Sequence, residues 1–463
     1  MAWPLKFLSI KEIEENVDGF SKREVRKKQR ALEQSINEGA VASFPNGIAE
    51  TYITPFALLL KASSFQIGAL GALQGLVTPI SQLFGSRLMT KHPRKKIVTI
   101  SVFLQSLIWI FLAILSASFF LGYFQKYGFY LLAILLTLFL IAGGIAFPPW
   151  FSWLGDLMPP KSRGRFLSTR NIAIGLVNLS SVIIGAILLD RFQKLGFALI
   201  GFGVLFSLAF IFRVISYKIL KKIYIPKFKI KKGEETSLIG FLKAPSDYRK
   251  FSIYQAIFYF SIMLASPFFA VYMLKELQFS YLTFTLVAIS STIFYLVFSP
   301  LTGKFSDRFG NIKLFYISNF LFALSPILWI FIKSPIWLII IPQLVAGLAN
   351  ASFVIATTNY TYSSVSPSKR GALISYSNLL LGIGLLLGSL IGGYLIDYVP
   401  TRFNPFLLVF AIAALARLLT GIIFLPGLKE QSRVEKLPPM HINLYHPFDT
   451  IHHEIGWIKA IFK

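Results

Sequence analysis

Cysteine is absent from this chain of 463 residues, which excludes disulfide frameworks, thiolate metal sites and thiol catalysis. Charge is also scarce, at 14% of residues where a soluble chain carries about 25%. Acidic residues are scarcest: 20 against 46 basic ones, a formal net charge of +26. No convergent carboxylates, no nucleophile beside a base and no phosphate-cradling glycine loop can be found, so the chain reads as neither an enzyme nor an ATP-driven machine, and no cofactor is expected. Four of the five histidines, His441, His446, His452 and His453, crowd the tail at irregular spacing that suits no metal site. What the chain has in abundance is apolar surface: 55% hydrophobic residues, 46 of them Phe, and a mean hydropathy of +0.65.

That surface falls into long runs. Apolar stretches cover roughly 38–60, 66–88, 97–121, 129–155, 166–189, 197–219, 251–274, 281–302, 313–332, 335–362, 372–396 and 404–425. Each reaches the ~20 residues that cross ~30 Å of hydrocarbon as a helix, and all are too long for strands. The expectation is an all-α polytopic membrane protein with twelve transmembrane helices. The polar first thirty residues lack a cleavable signal. Ser21 to Glu24 has the form of a capping box, opening a helix to about Asn37 that runs into the first apolar stretch.

The positive charge explains itself once sorted by loop. With the N-terminus inside, 37 of the 46 basic residues fall in cytoplasmic segments, 7 in external loops, and Arg213 and Arg417 lie within spans. Such asymmetry places both termini in the cytoplasm of a plasma-membrane protein. It also turns the excess into an orientation signal and an attraction to anionic lipid, with no nucleic-acid partner expected.

The two halves repeat. Arg163-Gly164, Asn171, Gly175, Gly185 and Asp190 recur 207 residues later as Arg370-Gly371, Asn378, Gly382, Gly392 and Asp397. Arg213 recurs as Arg417 at an offset of 204, and Pro55-Phe56 as Pro267-Phe268 at 212. The expected organisation is a cytoplasmic amphipathic segment (1–37), a six-helix bundle (38–219), a basic linker (220–250), a second pseudo-symmetric bundle (251–425) and an amphipathic tail (426–463). Between the eighth and ninth spans stand Gly303, Asp307, Arg308, Gly310 and Lys313. With the repeat and orientation, this loop resembles the signature of the major facilitator superfamily, although Asn311 replaces a usual basic residue. The matching first-half loop keeps Gly85 and its positive charge but has Met89 where an acid is expected. The resemblance implies secondary transport by two rocking bundles, with the loop as a conformational latch joined by Arg163 and Arg370.

Ser43, Asn46, Glu50 and Thr54 are spaced to share one helical face, with Glu50 near mid-membrane. A carboxylate there is costly unless it meets water, a partner or its own proton, as a coupling group or cation site would. Its repeat counterpart is Ile262, so the scaffold does not require it. The resemblance makes the first, fourth, seventh and tenth helices line a central cavity. These helices offer Asn46, Glu50, Trp150, Trp153, Tyr254, Gln255, Tyr259, Gln343, Asn350 and Asn359, which suit a small neutral or cationic organic solute by cation–π contact and amide hydrogen bonds. It also makes Arg213 and Arg417 structural residues on outer helices, while Gly382 to Gly393 read as a close-packing stripe. Glu38 and Asp156 read as interfacial or salt-bridged. The expected function is secondary active transport, coupled to protons, by a monomer in the bilayer; a non-transporting or lipid-moving protein on the same scaffold is the alternative. Because cysteine is absent, topology is directly testable: Lys91→Cys should react with an impermeant maleimide from the cytoplasmic side and Lys126→Cys from outside, and the opposite pattern would invert the assigned orientation.

Overall fold

A backbone inside hydrocarbon has no water to bond to, so long apolar runs must satisfy their amides as helices. A computed structural model describes residues 22–89, 91–157, 163–225, 238–243, 246–365, 370–430 and 435, and among these the regular structure is helical throughout. Eleven described helices are long and apolar enough to cross a membrane. The first span completes the twelve in broken form: helix Lys22–Ile48, a 3-10 turn Glu50–Tyr52, then helix Ile53–Leu59. The chain is an all-α, multi-pass membrane protein. Ser21, the tail histidines, and the side chains of Arg163, Asp307 and Arg370 lie outside the described residues.

Two compact units form, Met1–Lys232 with Ala270–Thr285, and Gly233–Phe269 with Leu286–Lys463. In the first unit the first span packs on the fifth and sixth, the third on the fourth and sixth, and the second on the fourth. In the second unit the seventh span packs on the eleventh and twelfth, and the ninth on the tenth and twelfth, so the helix pairing repeats as the sequence does. Side chains such as Leu104, Phe111 and Ile114 on the third span are about half exposed, the surface expected of a lipid-facing helix.

The glycine stripe of the eleventh span (Arg370–Tyr398) has a geometric cause. A Cβ on Gly384, Gly388 or Gly392 would lie 2.1, 2.3 and 2.2 Å from the carbonyl oxygens of Ala256, Phe260 and Leu264. Four-residue spacing on one helix meets four-residue spacing on the other, and the two backbones touch along a ridge that no larger residue permits.

The first and seventh spans break at matching places. In the first, Pro45 removes an intrahelical donor and the helix ends at Ile48, before Ala49 and the turn holding Glu50. In the seventh, helix Asp247–Met263 ends and another begins at Ser266, 212 residues on from Thr54. Regular helical spacing is therefore lost at Glu50, and the single face expected for Ser43, Asn46, Glu50 and Thr54 does not continue to Thr54.

A helix end and an internal proline both leave carbonyls short of donors, the end of Asp247–Met263 near Ser261 and Ile262 and Pro326 at Phe322, and in the second unit an arginine takes them. Arg417, buried on the twelfth span, donates to Phe322 O at 2.8 Å, Ile262 O at 3.1 Å and Ser261 O at 3.4 Å. Hydrogen bonds from a charged donor contribute about 1.5–3 kcal/mol each, enough to offset much of the burial cost. Arg417 is structural, as its place on an outer helix suggests.

Gly388→Val should lower the melting midpoint of the purified protein by several degrees, since the clash costs ~1–3 kcal/mol. Gly175→Ala, where a Cβ meets nothing within 4 Å, should leave it unchanged. Equal melting of both variants and wild type would refute the packing role.

Candidate functional site

Polar residues that meet no water collect where they can satisfy one another, and in the first unit they surround a cavity of about 380 Å³. Its wall takes Glu38, Ser43, Asn46 and Glu50 from the first span, Gln105 from the third, Trp150 from the fourth, Arg170 from the fifth and Arg213 from the sixth. Phe139 and Phe147 supply apolar surface. Thr54 is not among the lining residues.

Each charged group is held differently. Glu38 is buried and accepts a hydrogen bond from Ser216 at 2.8 Å. The Arg170 guanidinium lies 4.8 Å from the Trp150 ring centre, so this indole face already carries a cation. Gly39 makes room for it: a Cβ there would stand 2.7 Å from Arg170 Nη2. Arg213 donates to Gln105 Oε1, and Gln105 is oriented in turn by donating from Nε2 to Phe139 O at 3.2 Å. Glu38 and Glu50 line the same cavity as Arg213. Among the described residues the Glu50 carboxylate accepts no hydrogen bond and forms no ion pair; its position at the helix break leaves it on the cavity wall.

This corrects the expectation that Arg213 repeats the structural job of Arg417. The helix break that Arg417 serves in the second unit is matched by one bearing Glu50 in the first, and Arg213 faces a cavity instead of a row of carbonyls. Glu38 and Gln105 are further lining residues of this cavity that the sequence did not single out as site candidates. The signal for Gln105 is a long amide within the apolar run 97–121. Asp156, expected to be salt-bridged, pairs with Arg94 at 2.8 Å at the end of the fourth span.

The remaining candidates occupy other surroundings. Trp153 is buried and donates its indole N–H to Tyr224 O at 3.0 Å. Tyr254 is fully buried in an aromatic core with Phe251, Phe258 and Phe315, and its hydroxyl accepts from Asn319 Nδ2 at 2.6 Å. Gln255 is buried and accepts from Ser377 at 3.4 Å, and Gln343 is buried and donates to Val287 O at 2.8 Å. Tyr259 is half-buried with its ring edge-on to Phe353, and Asn350 is exposed and bonded to its own helix at Ala346 O. The structure thus brings together Asn46, Glu50 and Trp150, while the second-half candidates belong to the second unit.

The signature loop is tied to the chain that follows the last span. Gly310 turns the backbone at φ +94°, a conformation glycine adopts without strain. The amide of Ile312, an orphan at the start of helix Asn311–Phe331, donates to the Glu430 carboxylate at 3.0 Å, so Glu430 supplies the cap that glycine cannot. Asn311 accepts from Ser306 at 2.7 Å, and Ser306 accepts from Asn359 at 2.9 Å. Arg308 pairs with Glu435 at 2.7 Å, and Lys313 donates to Glu435 O at 2.8 Å. In place of a basic residue, Asn311 links the loop to the tenth span through Ser306. A Cβ on Gly303 would reach Ile355 Cδ1 only at 3.9 Å, an ordinary contact, whereas a Cβ on Gly85 would strike Ile145 O at 2.4 Å.

Known proteins share this architecture. The solved structure of a bacterial homologue of the iron transporter ferroportin in an inward-facing state superposes with a TM-score of 0.68 at 16% identity, covering 86% of this chain and 98% of that one. The nucleoside transporter NupG, as its D323A mutant, gives 0.65 at 17% identity over 86% of this chain and 100% of that one. At these identities the likeness concerns the fold. In sequence, the chain is 27% identical over 136 residues to vacuolar basic amino acid transporter 2 of Saccharomyces cerevisiae, 29% of this chain and 28% of that protein. It is 28% identical over 135 residues to the class B tetracycline resistance protein of Escherichia coli, 29% of this chain and 32% of that one. The aligned stretches thus span about a third or less of these two relatives. The family model of the Major Facilitator Superfamily matches residues 39–245 and 251–450, nearly the whole length. Two matching sets of helices, the loop signature and that match agree, and the chain belongs to the Major Facilitator Superfamily of membrane transporters.

Proposed function

We propose that the chain is a proton-coupled secondary transporter of a small neutral or cationic organic solute, working by alternating access in the plasma membrane with both termini cytoplasmic. The observation that carries this reading is Glu50, a carboxylate on a cavity wall at a helix break, without a hydrogen-bond donor among the described residues. A carboxylate so placed exchanges a proton or a cation at low cost, because binding either one replaces a partner it lacks. Only one half of the repeat has it, since Ile262 occupies the equivalent position, so coupling resides in the first unit while the second provides the moving counterpart. The relative named for basic amino acids and the one named for tetracycline resistance support an organic cargo. Asp307 and Arg308 act in this reading as a latch that is made in one state and released in another.

Purified protein in proteoliposomes, screened against organic solutes with and without an imposed proton gradient, tests the proposal. Glu50→Gln should reduce gradient-driven accumulation by about 10-fold or more, the loss expected when a ~1.5–3 kcal/mol charge-assisted contact is removed. Unchanged coupling and unchanged affinity in that variant would reject the role. Asp307→Asn should lower the transport rate with insertion into the membrane intact, and wild-type turnover there would reject the latch.

A further inference from the structure

The two repeat-related arginines offer an internal control. Arg417 uses its guanidinium on three backbone carbonyls, whereas among the described residues Arg213 makes one hydrogen bond, to Gln105, and its buried Nε has no acceptor. A guanidinium has five N–H donors, so Arg213 has unused donors in a cavity that also holds Glu50, which lacks any donor of its own. The two opposite charges share one wall, yet no ion pair joins them. A simple cation or anion would match the charge of only one of them, whereas a solute carrying both signs matches the two at once.

The remaining lining narrows the class. The cavity wall carries two carboxylates, Glu38 and Glu50, and two guanidinium groups, Arg170 and Arg213, so its formal charge is balanced and a solute with no net charge keeps it so. Glu38 is engaged by Ser216, and Arg170 rests on the Trp150 ring, which removes that ring face as a cation–π site for the cargo. The volume of about 380 Å³ lies near the lower end of the ~300–1,000 Å³ of small-molecule sites.

Resting on the transport reading above, we propose that this cavity takes a small zwitterion of the α-amino-acid type, its ammonium at Glu50 and its carboxylate at Arg213, with Gln105 as the positioning residue that aims the guanidinium. A carboxylate accepts two parallel N–H bonds from a guanidinium, and an ammonium donates to Glu50 and to the side-chain carbonyl of Asn46. Phe139 and Phe147 then face the cargo's apolar part.

The test is counterflow in proteoliposomes with each of the twenty common radiolabelled amino acids, and with choline and tetraethylammonium as simple cations. At least one amino acid should exchange. Its methyl ester, which keeps the ammonium alone, and its N-acetyl derivative, which keeps the carboxylate alone, should each compete at least 10-fold more weakly. Arg213→Gln should bring the amino acid and its ester within about twofold of each other, and Glu50→Gln should do the same for the amino acid and its N-acetyl derivative. Arg213→Lys, which keeps the charge, should retain part of the preference, and each variant's melting midpoint reports whether it is folded. An ester that competes as well as its amino acid overturns the zwitterion site and leaves proton-coupled transport standing, as does exchange of choline or tetraethylammonium with no amino acid moving. If no solute exchanges, both readings fall.

Discussion

Every polar group at hydrocarbon depth must find its partner in the protein, because the surrounding lipid offers none. Among the described residues the first and seventh spans break in equivalent places, and repeat-related arginines, Arg213 and Arg417, stand on the sixth and twelfth spans. In the second unit the problem is closed: Arg417 spreads its donors over Ser261, Ile262 and Phe322. In the first unit an acid stands at the break, Arg213 turns to Gln105, and a cavity remains. One structural element has thus become a finished joint in one half and an open site in the other.

Close packing elsewhere makes such an open site tolerable. The backbone contact along Gly384, Gly388 and Gly392 and the aromatic core around Phe251, Tyr254 and Phe315 bind the second unit without using charge. In the first unit, Gly39 and Gly143 stand where a Cβ would crowd Arg170 and Gln105, so small residues there leave space for the polar side chains. Glycine serves both ends: it lets helices touch in one place and lets long side chains lie flat in another.

The architecture was legible in the sequence because its signals are long and redundant. Runs of twenty apolar residues, a repeat near 207 residues and a charge asymmetry between loops do not depend on any one side chain. The site was legible in part. Glu50 stood out because a carboxylate in an apolar run has few explanations, and Asn46 and Trp150 followed from helix choice. Arg213 was visible as a charge, but its facing was not, since Glu50 and Arg213 are 163 positions apart and come to one cavity wall only through the packing of separate helices. Tyr254 and Gln255 show the opposite difficulty. On a helix buried on several sides, an aromatic or amide is equally suited to a core and to a cavity, and spacing cannot separate the two.

The clasp at the signature loop carries a practical consequence. Glu430 and Glu435 lie beyond the last membrane helix, in a stretch that composition alone would assign to a dispensable tail, yet they cap the ninth helix and hold Arg308 and Lys313. The structural boundary of the second unit therefore runs past the end of its last span. A fusion partner or a cut placed before residue 436 would alter the loop as directly as a mutation within it.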